Sequence, residues 1–176
     1  GTALPTTSDL PTLSTLGIAN HNNISVDSSG RMTNSNQPFF HITIDGNPGA
    51  ANANYVPFGK VIRNVGSHFD ASTYNFTAPV SGIYQFNVNI RVDSASAGSG
   101  RYHHYRVHIN GAVGAVNSEK ADFINIPYYG QYMGANFSFA LYLNSNDWVA
   151  IKNDNLSSLG GNYLGYQCHF SGILIA

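Results

Sequence analysis

The chain has 176 residues, 10% of them charged, 43% hydrophobic and 12% aromatic, with a formal net charge of −1. Eight Lys+Arg are too few for non-specific nucleic-acid binding, which needs many cations to displace counterions. A single cysteine, Cys168, excludes an intrachain disulfide and a cysteine-based zinc cage. The absence of an 18-residue apolar run, or of a basic leader before an apolar stretch, argues against a membrane-spanning helix and an intact signal peptide and leaves a processed secreted form open. One Glu (Glu119) and three Lys leave Asn, Ser, Thr and Tyr where helices prefer other residues, so the composition is that of an all-β protein. The length suits one domain with a short appendage, and a core of that size needs no staples.

In chain order, residues 1–37 come first and differ from the rest. Small polar residues, Pro5, Pro11 and scattered leucines cannot bury enough surface to offset ordering entropy, which predicts an extended leader or stalk connector. Within it, Ile24 to Met32 reads as a short strand and a turn. A two-residue period begins at Phe39: Phe40, Ile42 and Ile44 alternate with His41, Thr43 and Asp45. Lys60–Val65 is the next predicted strand. After Gly82 the alternation is clearest, with Tyr84, Phe86, Val88, Ile90 and Val92 on a dry face and Gln85, Asn87, Asn89 and Arg91 on a wet one. The strand 101–110 ends at Asn110-Gly111, a pair that favours tight hairpins because both residues tolerate positive φ. Phe137, Phe139, Leu141 and Leu143 make another apolar face, Asn144–Asn146 turns the chain into Trp148–Lys152, and Tyr166–Ile175 is the last predicted strand. Eight to ten strands at this spacing predict a sandwich or barrel.

The stretch VPFGKVIRNVGSHFDASTYNFTAPVSGIYQFNVNI, Val56–Ile90, carries Asn64, Phe69-Asp70, Phe76-Thr77-Ala78-Pro79 and Gly82-Ile83-Tyr84-Gln85-Phe86. It resembles the globular head of complement component C1q, within the wider tumour-necrosis-factor jelly-roll family. Val107–Gly111, Ala140–Val149 and Phe170–Leu174 resemble the family's later elements, in order, so the likeness covers about residues 38–176. Ala78 stands where many animal members have Cys, Asn146 replaces the usual Gly, and no Gly-X-Y tract precedes the head. The leader Val26–Met32 with Gln37-Pro38 is similar to the approach to such heads in bacteriophage structural proteins, notably fibres of marine phages. The resemblance implies a ten-strand antiparallel jelly-roll sandwich over 38–176, its sheets about 10 Å apart, and a homotrimer packed about a threefold axis. Tyr132, Ala140 and Tyr142, opposite the core face of their strand, are the expected trimer contacts, since an apolar second face calls for a second partner. The alternative is that these tyrosines cap the sandwich edge.

Polar chemistry concentrates in Tyr102-His103-His104-Tyr105-Arg106-Val107-His108, where alternation puts Tyr102, His104, Arg106 and His108 on one face. His104 and His108 lie about 13 Å apart by strand rise, too far to share one metal. A threefold ring of histidines on a metal or anion, an ordinary wet sheet face and a subunit contact all remain open. These four residues, with Asp154 and Tyr163 from the loops near 153–163, are the candidate ligand-binding residues. Asp45–Gly49 and Asn153–Asn155 each supply one Asp, too few for a single-chain calcium site. No metal-ligand set and no cofactor are therefore assigned, although calcium on the threefold axis stays open. Catalytic motifs are absent: there is no Gly-x-Ser-x-Gly, His-Glu-x-x-His or phosphate-binding Gly-x-x-x-x-Gly-Lys. Asp70 is expected to order a turn, and Cys168 to be a small buried apolar residue. Four Asn-x-Ser/Thr sites, at Asn23, Asn75, Asn136 and Asn155, are a number that chance supplies in so Asn-rich a chain.

The expected function is non-enzymatic: a trimeric head at the end of a phage fibre or other virion appendage, adhering to a host glycan or outer-membrane protein. Its expected partners are itself, that host component, and other virion proteins through the leader, with no nucleic acid and no membrane insertion. Loops 46–54, 94–101, 117–131 and 155–163 are the expected binding surfaces, because loops on a rigid sandwich carry function. A structural plug, needle tip or capsid-decorating protein, and a secreted C1q-like innate-immunity lectin, are the alternatives.

Overall fold

The computed structural model describes residues 24–50, 55–93, 102–111, 123–127, 132–153 and 161–176. The chain divides into two units, Gly1–Gln37 and Pro38–Ala176. The described part of the first is an antiparallel hairpin, β1 (Ile24–Val26) with β2 (Met32–Asn34). Asp27 organises its turn by accepting the Ser29 and Arg31 N–H groups at 2.8 and 3.0 Å and pairing with Arg31 Nε at 2.6 Å. Those bonds, from Arg31 first, hold its carboxyl below the ordinary carboxylate range.

In the second unit the strands are β3 (Phe39–Thr43), β4 (Lys60–Val65), β5 (Phe69–Asp70), β6 (Asn75–Thr77), β7 (Gly82–Asp93), β8 (Tyr102–Ile109), β9 (Phe123–Pro127), β10 (Tyr132–Leu143), β11 (Trp148–Asn153), β12 (Asn162–Tyr163) and β13 (His169–Leu174). One sheet of six runs β10-β7-β13-β3-β4, with β12 also on β7; one of five runs β5-β6-β11-β8-β9. Every pairing between these strands is antiparallel. The count among described residues is eleven, against ten expected, and it includes β5 and β12 at two residues each.

The two-residue period decides which side of each strand is dry. In β7 every second residue from Gly82 to Val92 is buried, and Phe40 and Ile42 of β3 do the same. The core they build is aromatic and joins the two sheets. Phe40 of β3 stacks on Phe76 of β6 at 4.9 Å and meets Phe170 of β13 edge-on at 4.9 Å, while Phe86 of β7 stacks on Phe139 of β10 at 5.1 Å. Each such fully buried ring contributes roughly 1.5–3 kcal/mol of transfer free energy. Side-chain amides and carboxylates set the corners. Asn64 donates to Phe69 O at 2.8 Å and accepts its N–H at 3.1 Å, closing the turn at 65–68.

Two local expectations are corrected. The last strand begins at His169, because Gly165–Gln167 forms a 3-10 turn that leaves Tyr166 exposed. Asn110 and Gly111 do take positive φ, 53° and 80°, but β9 begins opposite Arg106 at Phe123, so the pair turns the chain without closing a two-residue hairpin between described strands. Among the described residues, no helix is long and apolar enough to cross a membrane.

Candidate functional site

Three surfaces carry the candidate chemistry. The first is the outward face of the six-stranded sheet. β7 and β10 pair over their full length, Leu143 opposite Gly82 through Tyr132 opposite Asp93, so one stripe of β10 is locked into the core and the other is turned out. Tyr132, Ala140 and Tyr142 all lie on the outward stripe, with Tyr132 and Tyr142 55% and 52% exposed. Tyr142 sits opposite Ile83, also exposed, at one end of the face. At the other end the Arg91 guanidinium lies 5.0 Å from the Tyr132 ring centre and donates to Gln167 Oε1 at 2.5 Å. Between them the face is polar: Gln85 donates to Ser138 Oγ at 2.6 Å, and Ser138 donates to Asn87 at 2.9 Å. A groove of about 440 Å³ runs there between Asn87, Asn89, Asn136, Ser138, His169 and Ser171. Beside it, His41 Nε2 and His169 Nδ1 are hydrogen-bonded at 3.1 Å. Burial first, and the charge of His169 second, lowers the His41 pKa.

The second surface is β8. Tyr105 and Val107 point into the core and His104, Arg106 and His108 away from it, as the alternation predicts. The side chain of Tyr102, and all of Asp154, lie outside the described residues. A wet face is not what the structure shows at His108, which is only 2% exposed. The segment before Val56 bridges to β11, Tyr55 opposite Lys152. The Tyr55 ring stands edge-on to His108 at 5.7 Å and to Trp148 at 6.0 Å. His108 is thus interior on a face expected to be open, and His104 and Arg106 are half-buried.

Tyr163, expected on a loop, is interior as well, although it belongs to the lining of the cleft described below. It is 1% exposed, packs near Tyr105 and Cys168, and its hydroxyl accepts from Asn153 Nδ2 at 3.4 Å. Burial pushes the Tyr163 hydroxyl far up, and burial with the neighbouring Tyr163 does the same for Tyr105. Burial likewise raises the thiol of Cys168, which accepts the Arg91 N–H at 3.3 Å.

The third surface was not legible as a site. A cleft of about 540 Å³ is lined by Pro48, Tyr55 and Pro57 together with Ser72, Thr73 and Tyr74. Gly49 and Tyr163 complete its described lining, which holds no charged side chain. Residues 71–74 form the loop between β5 and β6, whose register pairs Asp70 with Asn75. Asp70 Oδ1 accepts the Ser72 N–H at 2.8 Å and Ser72 Oγ at 2.6 Å. Those Ser72 bonds hold its carboxyl low, so Asp70 orders a turn, as expected. Tyr74 takes a φ of +61°, a conformation that a bulky L-residue adopts only where its surroundings impose it. The signal in the sequence was Asp70-Ala71-Ser72, an acid two residues before a hydroxyl, with Tyr74 two residues further on. Among the described residues, no three His, Cys, Asp or Glu side chains gather as a metal site would require.

Two facing antiparallel sheets in this strand order are a jelly roll, and a C1q domain profile matches residues 39–175. The chain belongs to the C1q domain family. Its fold is similar to the globular domain of zebrafish complement 1qA protein, with a TM-score of 0.59 at 18% identity over 79% of this chain and 98% of that one. The Eiger TNF of S. frugiperda is similar too, with a TM-score of 0.58 at 13% identity over 80% of this chain and 93% of that one. C1q and TNF-like domains are typically binding domains that form trimers, and not enzymes.

Proposed function

We propose that this C1q domain is a non-enzymatic homotrimeric binding head on a phage fibre or related virion appendage, holding a host surface glycan or outer-membrane protein. The observation that carries the reading is the outward stripe of β10. Tyr132 and Tyr142 are each more than half exposed, on a strand whose other face is core. A sheet face with large aromatic groups at both ends and hydrogen-bonded amides between them is suited to a second copy of itself. Three copies about one axis present three equivalent sites on a rigid body, and joined sites bind with an avidity about 10²–10⁴ above a single one. The virion assignment draws on the likeness of the leader to the approach segments of phage fibre heads, and the hairpin β1–β2 is the part of that leader that joins other virion proteins.

Native mass of the full chain, with and without a chelator, tests the assembly. Three chains in one species is the expected result, and a monomer overturns the threefold head. Dissociation on chelation would place a calcium ion on the axis. Adhesion of the trimer to whole host cells then separates a receptor-binding head from a plug or decoration protein, which would not bind them.

A further inference from the structure

The cleft beneath the 71–74 loop has the size, the lining and the rigidity of a small-ligand site. Its volume of about 540 Å³ falls inside the roughly 300–1,000 Å³ of ligand pockets. Tyr55, Tyr74 and Tyr163 with two proline rings supply flat apolar surface, and Ser72 and Thr73 supply directional donors and acceptors. The described lining carries no charge, which favours a neutral ligand over an ionic one. A pyranose meets both properties, with C–H faces for the rings and hydroxyls for the polar groups.

Backbone cost at Tyr74 points the same way. A four-residue loop between paired strands commonly needs one residue with positive φ, and Gly or Asn supplies it without strain. A tyrosine held at +61° costs on the order of 1–3 kcal/mol, and such outliers gather at ligand sites. What the position gains is a ring lining the cleft. That ring lies beside Gly59, where an added Cβ would come within 3.6 Å of Tyr74 Cε1. Tyr55, also in the lining, is held edge-on to both His108 and Trp148. A ring held in this way loses little side-chain entropy when a ligand arrives, which favours weak ligands such as sugars.

We propose that this cleft binds a neutral pyranose, stacked on Tyr74 or Tyr55 and hydrogen-bonded by Ser72 and Thr73. The inference rests on the binding-head reading in taking its ligand from a cell surface, and it names that ligand's class. Methyl glycosides of neutral hexoses and of N-acetylhexosamines, titrated into the full chain and followed by ligand-observed NMR, are the test. Tyr74→Gly is the informative variant, because it removes the ring while Gly accepts the positive φ without strain, and its thermal unfolding checks that it folds. At least one neutral glycoside is expected to bind with a Kd on the order of 1 mM, weakened at least about tenfold in Tyr74→Gly. Tyr55→Leu is expected to weaken it as well. The proposal is overturned if no neutral glycoside binds, if Tyr74→Gly binds as well as the parent chain, or if a proline-rich peptide occupies the cleft in preference to every sugar. A monomer that still binds the glycoside through Tyr74 would remove the trimeric head and leave this site standing.

Discussion

Gly172 gives the sharpest test of the core. It lies in β13, between β3 and β7, opposite Phe40 on one side and Phe86 on the other. A methyl group there would stand 2.5 Å from Phe40 Cε1 and 2.8 and 2.9 Å from Phe86 Cδ1 and Cε1, about 1 Å inside normal carbon contact. Neither ring has room to retreat. Both are fully buried, Phe40 between Phe69, Phe76 and Phe170, and Phe86 against Phe139. Overpacking of a filled core costs about 1–3 kcal/mol, and crowding two rings at once places Gly172→Ala at the upper end. The lower entropy of the unfolded alanine chain returns about 0.4–1 kcal/mol. A net loss of about 2 kcal/mol remains, which for a domain of this size is a fall in Tm of about 4–8 °C. Urea unfolding at fixed protein concentration, followed by the fluorescence of Trp148, reads it as a lower midpoint with an unchanged slope. Adding Phe40→Leu should recover part of the loss, with a coupling of about 1 kcal/mol. A Gly172→Ala change within about 0.5 kcal/mol of the parent, or strict additivity with Phe40→Leu, would refute the packing argument.

Because burial and His169 lower the His41 pKa, the unfolded chain takes up that proton more readily than the folded one. Stability therefore rises with pH through the window just below the unfolded value of about 6.5 and falls on acidification. His41→Gln should flatten that slope, and an unchanged pH profile would count against the pair. Cys168 is buried with a raised pKa, so a disulfide reagent at pH of about 8 should leave the native chain untouched and modify it fully on unfolding. Rapid native modification would contradict its burial. Tyr142→Glu places a charge opposite Ile83 on the proposed self-association face and should shift native mass towards monomer. At an exposed position it should leave the monomer's stability within about 0.5 kcal/mol. A mass unchanged by that charge would move the interface elsewhere.

What was legible in the sequence was whatever alternation or a capping pair encodes directly. The dry face of β7 and the Phe40–Ile44 stripe follow from a two-residue period, since a half-buried strand must segregate its side chains. Asp70 was legible because a short polar side chain next to a turn satisfies local backbone groups wherever the chain is tight, whereas Asn64 entered only as a motif residue and its bonds to Phe69 emerged with the structure. Alternation fixes the side of the sheet on which a residue lies and leaves open what covers that side. His108 lies on the predicted outward face of β8, yet Tyr55, more than fifty residues earlier, covers it through a bridge to β11 that no local pattern announces. Tyr163 was misplaced for the complementary reason. Its two-residue strand is too short to show a period, so a loop reading put a core side chain on the surface. The cleft combines both difficulties, since its lining comes from segments joined only by the fold. Tyr74 would have been informative only to a reader who already knew that its position takes positive φ. The residues easiest to read are thus those that hold the sandwich together. Surface positions such as Tyr74, whose side chain works against its own backbone, become visible only once the fold has fixed what that backbone must do.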